Sequence, residues 1–124
     1  MGNDLKKAFQ GENMTWEEVE PKAFKTAVDE FFKDAVEIFA YFDIVLEHFN
    51  EGKSIQEELR KFRDERPSIF NLIYDIFHKP EEVSDKIERI GVEKEKVKKL
   101  EEFKKRFKKL AEEIDLFVLS EILS

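Results

Sequence analysis

The side chains that could do chemistry in this chain are two histidines and many carboxylates. The chain has no cysteine, and its only histidines are His48 and His78. The sequence contains no Gly-x-Ser-x-Gly turn and no pair of glycines that could cradle a phosphate. Nucleophilic catalysis and nucleotide binding therefore have little support. We expect a protein that is not an enzyme and that binds no cofactor.

A metal site inside a helical bundle is the sharpest chemical alternative. Ferritin-like bundles bind two metal ions through inward carboxylates and two Glu-x-x-His pairs. This chain offers one related spacing, Asp75-x-x-His78, while Glu47 and His48 are adjacent and do not form a second pair. Three further carboxylates share one helix face, away from the apolar residues: Glu30, Asp34 and Glu37. A solvated acidic face explains these residues more simply, so a metal-binding bundle is our second alternative and no residue is assigned as a ligand.

The composition indicates a folded protein. Of 124 residues, 41% are charged and 41% are hydrophobic, and 13 are phenylalanine. Rings in this number supply the apolar surface that disordered chains of similar charge lack. Abundant Lys and Glu with few Asn, Gln and Met are typical of heat-adapted proteins.

The sequence gives no sign of a membrane segment or a secretory leader. No apolar run approaches the roughly 20 residues that span a bilayer. Residues 1–10 lack the apolar part of a signal peptide. The absence of cysteine is compatible with a reducing compartment. We therefore expect a cytoplasmic protein without a membrane partner.

The spacing of apolar residues predicts an all-α helical bundle. We expect two long amphipathic helices over about 21–50 and 92–123, with shorter helices over about 54–66, 68–78 and 80–90. The segment 68–78 is apolar around much of its circumference, which indicates deep burial. One domain accounts for the whole pattern.

Polar and capping residues set the predicted boundaries. Residues 1–13 have no sustained period, so we expect a flexible N-terminal arm before a single helical-bundle domain over 14–124. Thr15 starts a capping box, and Ser54 starts a second one before the helix 54–66. Pro21 favours a fresh helix start, since its ring disfavours a helix interior. Gly91 is the expected helix stop before 92.

The first long helix carries a wide apolar face. From Phe24 to Phe49, apolar residues alternate in steps of four and three, as in a coiled-coil seam. A second stripe runs beside it: Phe32, Val36, Phe39 and Leu46. Two stripes predict contact with two neighbouring helices.

The second long helix combines a similar seam with a basic strip. The seam residues recur in steps of three and four: Leu100, Phe103, Phe107, Leu110, Ile114 and Phe117. Residues 94–109, the basic strip, hold nine positive and three negative side chains and so carry +6, which leaves -13 on the rest of a chain whose net charge is -7. Lys104 and Arg106 occupy e and g positions, from which they could pair with an acidic helix between Asp29 and Glu47.

The basic strip also supports nucleic-acid binding as the first alternative function. Residues 87–100 resemble a helix-turn-helix in spacing, although Ile87 stands where the motif usually has a small residue. The expected phosphate contacts are lysines of the strip: Lys94, Lys98, Lys99, Lys105, Lys108 and Lys109. The acidic net charge argues against this alternative, and the local charge argues for it.

The end of the second long helix gives the main functional expectation. Its last two turns are apolar in nearly every direction, more than one neighbouring helix would cover. The residues concerned are candidates for a partner interface: Leu116, Phe117, Val118, Leu119, Ile122 and Leu123. We therefore expect a non-catalytic protein-protein interaction or assembly module that forms a homodimer or binds a protein partner.

Overall fold

The structure, a computed structural model, describes the backbone of residues 16–123 and the side chains of 22–123. Within that range there are seven α-helices, one 3-10 turn and no strand, which confirms the all-α bundle. The elements in chain order are α1 Trp16–Lys33, α2 Ala35–Asn50, α3 Gln56–Glu65, α4 Pro67–His78, α5 Pro80–Ile90, α6 Lys94–Arg106, the 3-10 turn Lys108–Leu110 and α7 Ala111–Leu123. The predicted arm 1–13 and the capping residue Thr15 lie outside the described residues.

The structure divides the predicted helix 21–50 at Asp34. Backbone hydrogen bonding continues through the break, because the Asp34 amide donates to Glu30 at 3.1 Å and its carbonyl accepts from Ile38 at 2.9 Å. The dihedral angles of Asp34, φ -104° and ψ 21°, nevertheless separate α1 from α2. Arg66 donates a hydrogen bond to the Asp34 carboxylate and ties this bend to the junction of α3 and α4.

The start of α1 also differs from the prediction. The helix begins at Trp16, so Pro21 lies in its second turn rather than starting a fresh helix. On α2, the expectation that Val36 belongs to the core is wrong, since this side chain is 86% exposed. The other members of that stripe are buried at Phe39 and half-buried at Phe32 and Leu46.

A 3-10 turn interrupts the predicted helix 92–123. The helix α6 begins at Lys94 and ends at Arg106, and Phe107 takes φ -110° and ψ 25°. The Leu110 amide then donates to the Phe107 carbonyl at 2.9 Å. This tighter turn keeps Phe107 and Leu110, three residues apart, both fully buried.

Two prolines and the predicted stop Gly91 set the boundaries of the short helices, whereas Ser54 does not. Pro67 and Pro80 open α4 and α5 at their first positions. Gly91 ends α5 in the left-handed conformation, with φ 70°. The residue before α3 is Ile55 rather than Ser54, and no side chain caps that helix.

The helix α4 lies at the centre of the bundle. It packs against α1, α3, α5, α6 and α7. Its apolar residues are buried as the sequence indicated: Ile69, Phe70, Leu72, Ile73 and Ile76. Because other helices surround α4, most of its circumference is apolar and its polar face is narrow.

A cluster of aromatic rings fills the space between α1, α2 and α6. Phe103 is fully buried, and its ring centroid lies 5.3 Å from that of Phe31 and 5.1 Å from that of Phe42. Both pairs meet edge to face, with interplanar angles of 84° and 81°. Three further rings surround Phe103: Phe39, Phe77 and Phe107.

Replacing Phe103 with alanine tests the importance of this cluster. We expect Phe103→Ala to lower the free energy of unfolding by about 3–5 kcal/mol, because five surrounding rings cannot collapse into the space it leaves. Urea unfolding followed by circular dichroism measures the change. Val36→Ala is the matched control and should fall within about 0.5 kcal/mol of the wild type. A loss below about 1 kcal/mol in Phe103→Ala would show that the ring is not a structural centre.

Candidate interaction surfaces

The residues considered for the metal-binding alternative are not assembled into a site. Among residues 22–123, no group of three or more His, Cys, Asp or Glu side chains is placed to hold a metal ion. The Nε2 atom of His78 donates to the Ala111 carbonyl at 2.9 Å, which joins α4 to the first turn of α7. Asp34 binds Arg66, and Glu30 and Glu37 point to solvent. His78 and Asp34 therefore hold helices together.

The second histidine has a similar role between α2 and α3. The Nδ1 atom of His48 shares a hydrogen bond with the Glu58 carboxylate, whose other oxygen is buried without a partner. Tyr41 donates its hydroxyl proton to the Glu58 carbonyl at 2.5 Å. Burial, followed by the nearby Glu58 charge, raises the pKa of Tyr41 and keeps the phenol protonated. Two residues of α2 thus hold the first turn of α3.

The basic strip divides into an inner and an outer set of cations. On the inner side, Lys96 donates to Asp29 at 2.8 Å, and Arg106 donates to Asp43 at 2.7 Å. The hydrogen bond to Asp29 raises the pKa of Lys96. The predicted pairing between the strip and the acidic helix is therefore confirmed for Arg106. Lys104, the other residue predicted to pair, has no ion pair within the described residues.

Inner cations also cover aromatic rings. Lys99 and Arg106 lie 5.6 Å and 5.7 Å from the centroid of the Phe39 ring. Lys96 lies 5.9 Å from the Phe32 centroid. Such contacts place the alkyl stems over apolar surface and the charges over the ring faces. Lys99, one of the predicted phosphate contacts, is therefore already engaged within the chain.

The outer cations are exposed and have no ion pair among the side chains that the structure describes. Five of them are predicted phosphate contacts: Lys94, Lys98, Lys105, Lys108 and Lys109. Lys104 is also exposed and lies at the mouth of a groove. These residues form the free part of the basic strip.

An open groove separates α5 from α6. Its volume is about 450 Å³, and its apolar lining includes Ile87 on α5, Val97 on α6 and Ile76 on α4 beneath them. The predicted arrangement of a helix, a glycine stop and a second helix is present at 87–100. In a DNA-binding helix-turn-helix, the first helix supports the recognition helix directly. The groove occupies that position here, so this geometry does not favour the nucleic-acid alternative.

The face predicted from the last two turns is only partly exposed. Phe117 does not belong to it, because it is 1% exposed and packs edge to face against Phe70 at 5.8 Å. Val118 is half-buried against the core. The remaining four candidates form an exposed apolar face on α7: Leu116 and Leu119, both 50% exposed, Ile122, 73% exposed, and Leu123, 77% exposed.

An ion pair determines which side of α7 faces inward. Arg60 donates to the Glu121 carboxylate at 2.8 Å, and Arg63 lies 3.4 Å from the same oxygen. Arg63 also lies 5.3 Å from the Phe117 centroid. The hydrogen bond from Arg60 lowers the pKa of Glu121. Glu121 and Phe117 lie four residues apart and so share the inner side of the helix.

Within residues 16–123, no helix is both long and apolar enough to cross a membrane. No family model, curated protein or solved structure matches this chain.

The pairing of Glu121 predicts a pH-dependent contribution to stability. Because its pKa is lowered by folding, the pair stabilises the protein above the ordinary carboxyl pKa and loses its effect as pH falls through the lowered value. We expect Glu121→Gln to melt below the wild type at pH 7, and we expect the difference to shrink as pH falls below the ordinary carboxyl range and to disappear only below the lowered pKa.

Thermal melts followed by circular dichroism between pH 2.5 and pH 7 test this expectation. Glu112→Gln is the control on the same helix, since Glu112 is exposed and has no ion pair among the described side chains. A melting difference for Glu121→Gln that stays constant across this pH range would contradict the assigned pairing.

Proposed function

We propose that this protein is a non-catalytic assembly module that binds a second copy of itself through the exposed face of α7. One observation supports the proposal above the others. Of the six exposed large apolar side chains among the described residues, four lie on α7, and the other two, Val36 and Ile44, lie on α2. Such clustering of apolar surface is typical of an interface.

The spacing of the exposed leucines suits pairing with another helix. Leu116, Leu119 and Leu123 follow one another in steps of three and four, the repeat of a coiled-coil seam. Their stripe lies opposite the side that holds Phe117 and Glu121. Ile122 flanks the stripe and widens it. An identical stripe on a second copy has the same repeat and can interdigitate with it.

Charge at one end of the face favours an antiparallel pair. Glu112 and Asp115 are exposed at the N-terminal end of α7. A parallel pair would bring the acidic ends of both copies together, whereas an antiparallel pair keeps them apart. In an antiparallel pair, the positive end of each helix dipole also lies beside the negative end of the other, which is favourable. We therefore propose a two-fold contact centred near Leu119.

The exposed area implies a weak or moderate dimer. The exposed fractions of the four side chains together equal about two and a half fully exposed residues per copy. Covering them on both copies contributes roughly 8–15 kcal/mol at about 1.5–3 kcal/mol per side chain. Association itself costs about 4–15 kcal/mol. Because the cost is of the same size as the gain, we expect a reversible dimer rather than an obligate one.

A single substitution at the centre of the face tests the proposal. We expect sedimentation velocity between 1 and 200 µM at 500 mM salt to show concentration-dependent dimers of the wild type. Leu119→Ser should weaken dimerisation at least tenfold because it removes apolar surface from both sides of the two-fold contact. Circular dichroism should show an unchanged helical content.

The matched control is Val36→Ser, which removes an exposed apolar side chain from α2. It should dimerise as the wild type does. A wild type that stays monomeric at 200 µM would contradict the proposal, as would equal dimerisation of Leu119→Ser and the wild type.

A further inference from the structure

We propose that the groove between α5 and α6 is a second docking surface for another copy of this chain. The groove has an acidic rim on α5 and a basic rim on α6, and the acidic rim of one copy meets the basic rim of the other. This inference goes beyond the contact through α7 and rests on different residues. It follows from the opposite charges on the two rims, the apolar floor between them, and the absence of ion pairs for these rim residues within the described part of the chain.

The rim on α5 is acidic. Its carboxylates follow in steps of four and three and therefore lie on one side of the helix: Glu81, Asp85 and Glu88. All three are exposed, Glu88 lines the groove, and none of them has an ion pair among the described side chains. The rim carries three negative charges over two turns of helix.

The rim on α6 is basic. Lys94, Lys98 and Lys105 lie in steps of four and seven on one side of the helix and are exposed. Lys104 lines the groove together with Glu101. The basic rim therefore carries four positive charges and one negative charge. By contrast, Lys96 and Arg106 face the acidic residues of α1 and α2 and are paired.

The floor between the rims is apolar and partly open to solvent. Ile87, Val92 and Val97 are half-buried and line the groove, with Leu100 buried beneath them. The short turn at Gly91 joins the two walls at one end. Covering this floor would supply affinity, because exposed ion pairs contribute only about 0–1 kcal/mol each.

A two-fold axis through the groove satisfies both rims at once. It places the acidic α5 of each copy against the basic α6 of the other, so every attractive pair forms twice. Any arrangement that places like rims together is repulsive. The charges thus select the partner and its orientation, while the apolar floor drives association.

A second copy suits this groove better than a nucleic acid. Phosphates attracted to Lys98 and Lys105 would meet the carboxylates of α5 across the groove. The whole chain also carries a net charge of -7, which repels a polyanion. An acidic protein surface meets the basic rim without this cost, and this chain supplies such a surface itself.

Charge reversal in a background without the α7 contact tests the inference. In Leu119→Ser, we expect self-association at 20 mM salt that weakens at least tenfold at 500 mM salt. Adding Lys94→Glu, Lys98→Glu and Lys105→Glu makes both rims acidic and should abolish association. Adding Glu81→Lys, Asp85→Lys and Glu88→Lys makes both rims basic and should do the same. An equimolar mixture of these two variants should form a heterodimer.

The control reverses three exposed lysines elsewhere: Lys22→Glu, Lys25→Glu and Lys61→Glu. It changes the net charge as much as the basic-rim variant does and should leave association at the groove within twofold of the Leu119→Ser background. Failure of the mixture to form a heterodimer would overturn the inference. So would duplex DNA binding that depends on the basic rim without any self-association, since it would assign the rim to a nucleic acid.

Failure of the groove contact can be distinguished from failure of the α7 contact. If Leu119→Ser dimerises as the wild type does, the proposed function fails while the rim variants still test the groove. If the wild type dimerises and Leu119→Ser is monomeric at 20 mM salt, the groove inference fails and the α7 contact stands.

Discussion

Aromatic packing around Phe103 holds the bundle together, since rings from α1, α2, α4 and the residue after α6 meet there, those from α1 and α2 edge to face. Each ring occupies the space between helices, and the preference for edge-to-face contact restricts how those helices approach. A core built from large rigid side chains tolerates little displacement. The positions of the surface charges on α6 consequently follow from the orientation that Phe103 imposes on that helix.

This orientation separates the cations of the basic strip. The side of α6 next to Phe103 turns toward α1 and α2, where Lys96 and Arg106 find carboxylates and aromatic faces. The opposite side leaves Lys94, Lys98 and Lys105 in solvent. The +6 strip is therefore two surfaces with different roles. One makes contacts within the chain, and the other is exposed to solvent.

Periodicity predicted the buried side of the segment 92–117 correctly, since every seam residue from Leu100 to Phe117 is buried. The breaks at Asp34 and after Arg106 were not predictable in the same way. No proline or glycine marks either position, and the contact between Asp34 and Arg66 joins residues 32 positions apart. The spacing of apolar residues within one helix carries no information about a contact between two residues so far apart in the sequence. The groove also depends on the angle between α5 and α6, which long-range packing sets.

Beyond Phe117, the sequence did not predict which side of α7 faces inward, because apolar residues in every direction give no preferred face. Glu121 could not resolve this ambiguity from the sequence alone. It is the one charged residue in the last two turns, and its pairing with Arg60 and Arg63 places it inward. A lone charge in an apolar segment is usually expected to face solvent. That expectation would have placed the wrong side of α7 against the core. The exposed leucines therefore follow from a long-range ion pair as much as from hydrophobicity.

The central position of α4 has a consequence for synthesis of the protein. Its apolar surface contacts α1 and α3, which precede it in the chain, and also α5, α6 and α7, which follow it. The ribosome produces α4 more than 30 residues before it reaches α7. At about 5–20 residues per second, this delay lasts roughly 2–7 seconds. During that time one side of α4 has no covering helix, so the nascent chain presents a strongly apolar segment to chaperones.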